Sequence, residues 1–115
     1  MSRHTRHMER AASVAALSTQ RQKHGAVIAK GNRVLAVGVN RYRNHPSVCS
    51  NPKIEAATHA EIAAMAALPP DTDFSRLTMY VARVDSCNVP KLSKPCARCT
   101  AEISRRGFKE VLWTL

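Results

Sequence analysis

Apolar positions recur along the chain at two different periods, and they divide its first third into a helix and two strands. Residues 6–20 carry an Ala-rich apolar face, which predicts an N-terminal helix. The runs 24–30 and 33–40 are mostly apolar and are separated by Gly31-Asn32, a dipeptide typical of a two-residue hairpin turn. We therefore expect a helix followed by a β-hairpin that is buried on at least one face.

The middle of the chain has no clear period. Residues 41–58 contain prolines and basic residues without alternation, which indicates a long irregular loop. This loop runs directly into His59, so we expect it to form a wall of any site around that residue. The Ala-rich segment 58–68 then predicts a helix that Thr58 caps and that Pro69-Pro70 ends.

The last third returns to strand and helix patterns. Residues 77–84 predict a strand and residues 85–94 a loop, after which Pro95 is expected to open a helix that ends before Gly107. Residues 109–115 predict a final strand. The resulting order is α-β-β-α-β-α-β, which indicates an α/β sandwich of two or three layers with a mixed sheet and parallel neighbours across the helical connections.

Length and composition are those of one small globular domain spanning residues 1–115. The chain is 44% hydrophobic and 23% charged, and it has no apolar run long enough to cross a membrane. Its first ten residues are basic and polar rather than signal-like. Four cysteines without a secretory signal favour a reducing compartment, so we predict a cytoplasmic protein.

The net charge of +10 indicates an anionic ligand, whether a nucleotide phosphate or a polynucleotide, or only a basic surface that keeps the protein soluble. The basic residues before the first helix are of the wrong sign for a helix N-terminus. They are interpreted as a solvated arm, with contact to a polyanion as the alternative.

The motif with the most chemical content is split between His59-Ala60-Glu61 and the segment Pro95-Cys96-Ala97-Arg98-Cys99. His59, Cys96 and Cys99 can hold a zinc ion and leave a fourth position open, as catalytic zinc sites do. Cys96 and Cys99 lie on one face of a helix, in its first turn, where the helix dipole favours thiolate. Beside the ligands His59, Cys96 and Cys99, Glu61 is a poor fourth ligand, but it is well placed to carry protons for a water at the open position.

Other uses of these cysteines stay open from the sequence. A closed structural zinc site would need a third cysteine, either Cys49 or Cys87, and a redox-active Cys-x-x-Cys would not require the His-x-Glu. Cys49 and Cys87 are interpreted as small hydrophobic residues.

The hairpin and the paired motifs, in this order, resemble the cytidine/deoxycytidylate deaminase superfamily of zinc-dependent nucleobase deaminases, of the small phage and bacterial type. The resemblance extends over nearly the full length. It implies a three-layer α/β/α cytidine-deaminase-like sandwich with a mixed sheet, truncated after the fourth strand.

The resemblance also implies an activity, the hydrolytic deamination of cytosine to uracil with release of ammonia, or of adenine at the equivalent carbon. Zn²⁺ would be the cofactor and Glu61 the proton carrier. Asn40 would bind the sugar, and backbone N–H groups near Ala60 and Cys96 would contact the base.

One departure from the family concerns the position before the Pro-Cys pair, where Lys94 replaces the usual Ser or Thr and adds a cation at the rim of the pocket. The other is the absence of the family's fifth strand, which would leave an open sheet edge, so we predict a homo-oligomer. Four further residues are candidates for substrate binding, mostly through a phosphate: Arg41, Arg43, His45 and Lys91.

Three functions are compatible with these features. The first is a deaminase of a free cytidine or deoxycytidine nucleoside or nucleotide, of the CMP or dCMP type. The second is a deaminase of cytosine or adenine in single-stranded DNA or RNA, which the charge favours and the scarcity of aromatic residues disfavours. The third is a non-catalytic, zinc-stabilised nucleic-acid-binding module, which would not require Glu61.

Overall fold

The first helix, α1, spans Arg3–Ala15. This computed structural model describes residues 2–19, 22–42 and 57–114 of the chain. Helix α1 begins earlier than the predicted residue 6, because the Ser2 hydroxyl accepts the Thr5 N–H at 3.2 Å and caps it. The buried residues His7, Ala11 and Ala15 recur every four positions, so one face of the helix lies on the sheet.

The predicted solvated arm is wrong for His4 and His7, although Arg3, Arg6 and Arg10 are exposed as expected. The Nδ1 atom of His4 lies 2.6 Å from the Tyr80 hydroxyl, and the Nε2 atom of His7 lies 2.7 Å from the Gly31 carbonyl oxygen. Both imidazole rings also contact the Tyr80 ring. Histidines that look like part of a basic arm in the sequence therefore attach α1 to the sheet.

The predicted hairpin is present as β1, Lys23–Lys30, and β2, Arg33–Val39. Gly31 in the turn has φ 59°, a left-handed conformation that glycine adopts without a steric penalty. Two short strands, β3 (Arg41–Tyr42) and β4 (Ala57–Thr58), pair at the two ends of the predicted loop, of which residues 43–56 lie outside the described residues.

Helix α2 spans Ala60–Ala66 and is shorter than predicted. Its N-cap is His59 rather than Thr58, because Thr58 is held in an extended conformation by its pairing in β4. The first helix hydrogen bond runs from the Ala63 N–H to the His59 carbonyl oxygen, at 2.9 Å.

The remaining elements follow the predicted order with shifted ends, except that a two-residue strand lies within the predicted loop 85–94. Strand β5 spans Thr78–Val84, β6 is the two-residue strand Pro90–Lys91, α3 spans Ala97–Arg106 and β7 spans Glu110–Trp113. Pro95 does not open α3, since Cys96 is the N-cap and Pro95 lies outside the helix. Gly107, at φ 74°, ends α3 as predicted.

Among the described residues, five strands form one mixed sheet in the order β2-β1-β5, with β6 and β7 both paired to the far edge of β5, while β3 and β4 form a separate two-stranded sheet. Strand β1 is antiparallel to both of its neighbours, whereas β5 and β7 are parallel. The expectation of parallel neighbours is therefore confirmed for β5 and β7. It is wrong for β2 and β5, which run in the same direction but have β1 between them.

Two apolar clusters fill the two sides of the sheet and establish three layers, as the resemblance implied. Helix α1 covers one side, where the buried residues are Ala11, Val27, Ala29, Tyr80 and Ala82. Helices α2 and α3 cover the other, where the buried residues are Ala26, Ile28, Ala36, Ala60, Ala64, Met65, Phe74, Leu77, Met79, Val81 and Ile103. Within the described ranges, no helix has the length and apolar character needed to span a membrane.

Candidate metal centre

Three side chains from two helix starts meet at one point. The Nδ1 atom of His59 lies 3.2 Å from the sulfur of Cys99 and 3.6 Å from the sulfur of Cys96. The potential ligand atoms of the three residues all lie within 4.8 Å of one another. A tetrahedral zinc ion with ordinary Zn–N and Zn–S bond lengths separates nitrogen from sulfur by about 3.6 Å. The donor set and its spacing therefore fit zinc.

The starts of two helices position these ligands. His59 is the N-cap of α2 and Cys96 is the N-cap of α3, and both have an extended backbone just before their helix begins. Cys99 lies one turn further along α3 and is fully buried, while the Cys96 side chain is exposed. The two helix starts thus bring His59 close to Cys96 and Cys99, which are far from it in the sequence.

A polar clasp around Ser93 holds the segment that leads into Cys96. The Ser93 hydroxyl donates to the Val81 carbonyl oxygen of β5 at 2.8 Å and accepts the Thr114 N–H at 2.9 Å. The Ser93 N–H donates to the Thr114 carbonyl oxygen, also at 2.9 Å. Ser93 is buried, so these bonds are shielded from water and fix the entry to α3 against the sheet.

The electrostatic environment of Cys99 favours the neutral thiol unless a cation is bound beside it. Burial raises the pKa of the Cys99 thiol, and the neighbouring Glu61 carboxylate and Cys96 thiol raise it further. A thiolate beside a buried carboxylate is stable only with a positive charge between them, which a divalent metal supplies.

The described residues supply no fourth ligand to this group. Cys87 is exposed and is not part of it, so a closed site that uses Cys87 is wrong, and its exposure does not support its interpretation as a small hydrophobic residue. Cys49 lies outside the described residues. Glu61 is also outside the ligand group, but it is only 4% exposed and hydrogen-bonds the Cys99 side chain.

The predicted substrate-binding residues have different surroundings. The side chain of Asn40 is engaged with protein backbone, since its Oδ1 accepts the His24 N–H at 2.8 Å and its Nδ2 donates to the Gln22 carbonyl oxygen at 2.7 Å. Ala60 is buried as the first residue of α2, and Lys94 is exposed two residues before Cys96.

Of the other candidates, Arg41 lies in β3, Lys91 is exposed in β6, and Arg43 and His45 lie outside the described residues. The roles of all these residues toward a substrate stay predictions.

His24 and Arg83 also belong to the surroundings of this group, and no sequence motif marks either of them. Burial lowers the pKa of the His24 imidazole, and the charges of Arg83 and His59 lower it further. His24 and Arg83 are cross-strand partners on β1 and β5. Their proximity depends on strand register, which the sequence pattern does not fix.

The family comparison agrees with this geometry. A sequence model described as the cytidine and deoxycytidylate deaminase zinc-binding region matches residues 1–115. It confirms the resemblance drawn from the paired motifs, and with the His59, Cys96 and Cys99 group it supports Zn²⁺ as the cofactor. Comparison with curated proteins gave no match.

Solved structures of deaminases have the same fold. The chain is similar to the dCMP deaminase of the cyanophage S-TIM5 in apo form, with 24% identity, a TM-score of 0.70, and coverage of 96% of this chain and 80% of that one. The same enzyme in complex with dCMP and dUMP matches with 21% identity, a TM-score of 0.64 and coverage of 95% and 78%. Cytidine deaminase from Mycobacterium tuberculosis matches with 24% identity, a TM-score of 0.61 and coverage of 95% and 81%.

Proposed function

The chain belongs to the cytidine and deoxycytidylate deaminase family, and we propose that it deaminates the cytosine of a free nucleoside or nucleotide of the CMP or dCMP type. The products would be the corresponding uracil compound and ammonia. The observation that carries this proposal is the buried carboxylate of Glu61 beside a His/Cys/Cys group without a fourth ligand among the described residues. A purely structural zinc site needs neither the carboxylate nor the open position.

The metal and the carboxylate have separate tasks in this reaction. His59, Cys96 and Cys99 would hold zinc, which when bound supplies a Lewis acid that brings the pKa of water near 7. Glu61 takes a proton from the attacking water, and the water oxygen forms a bond to C4 of the base. Glu61 delivers this proton to the ring N3, then takes the remaining proton of the hydroxyl now on C4 and transfers it to the amino group, so that the C4–N bond breaks, a C4=O bond forms and ammonia leaves.

The burial of Glu61 suits this task. A carboxylate that is 4% exposed exchanges protons slowly with bulk water, so the proton it takes is retained for the leaving group. Its place in the first turn of α2, two residues after His59 and close enough to Cys99 to raise the pKa of that thiol, puts it beside the residues that would hold the metal. The backbone N–H of Ala60, at the same helix start, is the proposed contact to the base.

The choice of a cytosine nucleotide rests on likeness alone. The S-TIM5 enzyme was solved with dCMP and dUMP, a substrate and product pair for this reaction. In the present chain, Asn40, Arg41, Arg43, His45 and Lys94 are the proposed contacts to sugar, phosphate or base. Beyond its bonds to the backbone of His24 and Gln22, the Asn40 amide has a second Nδ2 hydrogen and a second Oδ1 lone pair for this role.

A panel of substrates tests the proposal. Zinc-loaded protein would be incubated with cytidine, deoxycytidine, CMP, dCMP, and single-stranded DNA and RNA, and the products would be analysed by mass for uracil and inosine. We expect conversion of at least one free cytosine compound. Conversion of oligonucleotides alone would overturn the choice of substrate, and no conversion of any would support the non-catalytic zinc-stabilised module.

Exposed arginines on α1 favour the polynucleotide alternative. Arg3, Arg6 and Arg10 are exposed and recur at helical spacing, within a chain of net charge +10. Binding to single-stranded nucleic acid through such residues should weaken steeply as salt is raised, whereas binding of a nucleotide should change little. A steep salt dependence of turnover on oligonucleotides would establish this alternative.

We further propose that the protein acts in the cytoplasm and as a homo-oligomer. Cys96 and Cys99, placed as thiols of a metal-binding group rather than as a disulfide, suit a reducing compartment and support the first proposal, and the edges of a small sheet support the second.

A further inference from the structure

Three basic side chains form a row across neighbouring strands at the metal end of the sheet. In the strand register, His24 of β1 lies opposite Arg83 of β5, and Arg83 lies opposite Lys91 of β6. Residues directly opposite each other in antiparallel strands point to the same face of the sheet. His24, Arg83 and Lys91, which we call the basic row, therefore share one face.

That face is the one that carries the metal ligands. Along β5, Met79 and Val81 belong to the cluster under α2 and α3, whereas Tyr80 and Ala82 belong to the cluster under α1. Alternation along the strand places Arg83 with Met79 and Val81. His24 interacts electrostatically with both Arg83 and the metal ligand His59, so the basic row begins beside the metal centre.

The charge of Arg83 is not neutralised by a described residue. Lys91 has the Asp85 carboxylate at 3.8 Å, whereas Arg83 has no ion pair within the described ranges. The Nε atom of Arg83 is buried and has no hydrogen-bond partner in the same part of the chain. Arg83 is only half-buried as a whole, but a buried N–H donor without a partner is destabilising and calls for an explanation, and a bound ligand that supplies the acceptor is one.

A comparison within the molecule shows that Arg83 differs from a structural arginine. The Nε atom of Arg106 is likewise buried without a hydrogen bond. Arg106, however, lies 3.8 Å from the Glu102 carboxylate and stacks over the Phe74 ring. Its charge and its planar face are thus accounted for by the fold, whereas those of Arg83 are not.

We propose that Arg83 binds the phosphate monoester of the substrate and makes the enzyme prefer a cytosine nucleotide to the nucleoside. This inference rests on the proposed function and names the substrate class within it. A guanidinium binds phosphate oxygens through two parallel hydrogen bonds, which gives orientation as well as charge. Lys91, next to Arg83 in the basic row, adds a second positive charge at the exposed end of the site, and its attraction for the phosphate is weakened by the Asp85 carboxylate 3.8 Å away.

The test compares Arg83→Gln, Arg83→Lys and the matched control Arg106→Gln. For each zinc-loaded variant, kcat/KM would be measured with dCMP and with deoxycytidine. We expect Arg83→Gln to lower the ratio of the dCMP value to the deoxycytidine value at least tenfold, mainly through the KM for dCMP, as about one charge-assisted bidentate contact is lost. Arg83→Lys should retain part of the preference, and Arg106→Gln should retain all of it.

Two outcomes would overturn the inference from the kinetics. One is an unchanged ratio in Arg83→Gln, and the other is an equal fall in Arg106→Gln, which would indicate a general structural effect. A loss in Arg83→Gln that is confined to turnover of a cytosine-containing oligonucleotide would assign Arg83 to a phosphodiester and overturn the monoester.

Binding separates this inference from the proposed function. In calorimetric titrations of the zinc-loaded proteins, Arg83→Gln should weaken the binding of dCMP at least tenfold more than that of deoxycytidine. If the wild type binds dCMP but deaminates nothing, the proposed function fails while this difference still decides the role of Arg83. If the wild type binds no dCMP, the inference fails as well.

Discussion

Gly38 is the position where one added methyl group should reach the metal centre through the fold. A Cβ atom built on Gly38 would lie 2.5 Å from the Ala64 backbone nitrogen and 3.0 Å from the Ala64 Cα, and it would collide with the Ala60 carbonyl oxygen. These are backbone atoms of α2, which cannot move aside as a flexible side chain can. Gly38→Ala should therefore push α2 away from β2.

The consequence falls on two residues of the site, because α2 begins at His59 and carries Glu61 in its first turn. Overpacking of this kind costs about 1–3 kcal/mol of folding free energy. In a chain of this size that corresponds to a fall in Tm of about 4–15 °C. Displacement of one ligand should also weaken zinc binding by about 10–100-fold, the range seen when the support of a metal ligand is lost.

Gly25→Ala is the matched control. Its Cβ would collide with the backbone of α1, 3.0 Å from the Ala15 Cα, on the opposite face of the sheet. The added Cβ atom clashes with helix backbone to a similar degree in both variants. Because α1 contributes no metal ligand, Gly25→Ala should lower stability without a comparable loss of zinc affinity. Thermal unfolding would measure stability, and competition with a chromophoric chelator would measure zinc affinity at a temperature where both variants are folded. Equal zinc affinities in the two variants would refute the coupling through α2.

Three further predictions concern the site and the assembly. Glu61→Gln should retain stoichiometric zinc by elemental analysis and lower kcat by about 10²–10⁴-fold, the usual contribution of a general acid–base; substantial turnover would remove Glu61 from the mechanism. Because the pKa of Cys99 is raised, zinc must displace the thiol proton when it binds, so the loss of this one proton should make zinc affinity rise about tenfold per pH unit. Calorimetry in buffers of different ionisation enthalpy would measure the protons released, and zinc binding without proton release would contradict the prediction. Light scattering at micromolar concentration should show a homo-oligomer, and a monomer there would contradict that prediction.

The metal ligands could be predicted from the sequence because their signal is local. His59 with Glu61, and Cys96 with Cys99, each lie within one helix start, so their spacing alone fixes their relative positions. Gly107 and the hairpin turn at Gly31 were predictable for the same reason, since a left-handed conformation is a property of a single residue.

What the sequence could not reveal depends on pairing between distant segments. The N-cap of α2 is His59 rather than Thr58 because β4 pairs with β3, and a two-residue strand leaves no periodic signal. Strand β6 is equally short. The position of Arg83 beside His24 follows from the register of β1 against β5, and a shift by one residue would have turned its side chain toward α1.

The metal centre is held by contacts that act on each helix separately. Gly38 allows α2 to lie directly on β2 and so sets the position of His59, while Ser93 ties the entry of α3 to Val81 and so sets the position of Cys96. Because the two attachments share no residue, a change at one should displace one ligand and leave the other in place. Zinc joins the two helix starts, and its binding energy is then available to the fold as a link between α2 and α3. A zinc ion held by His59, Cys96 and Cys99 is thus expected to stabilise this end of the sheet as well as to serve the proposed reaction.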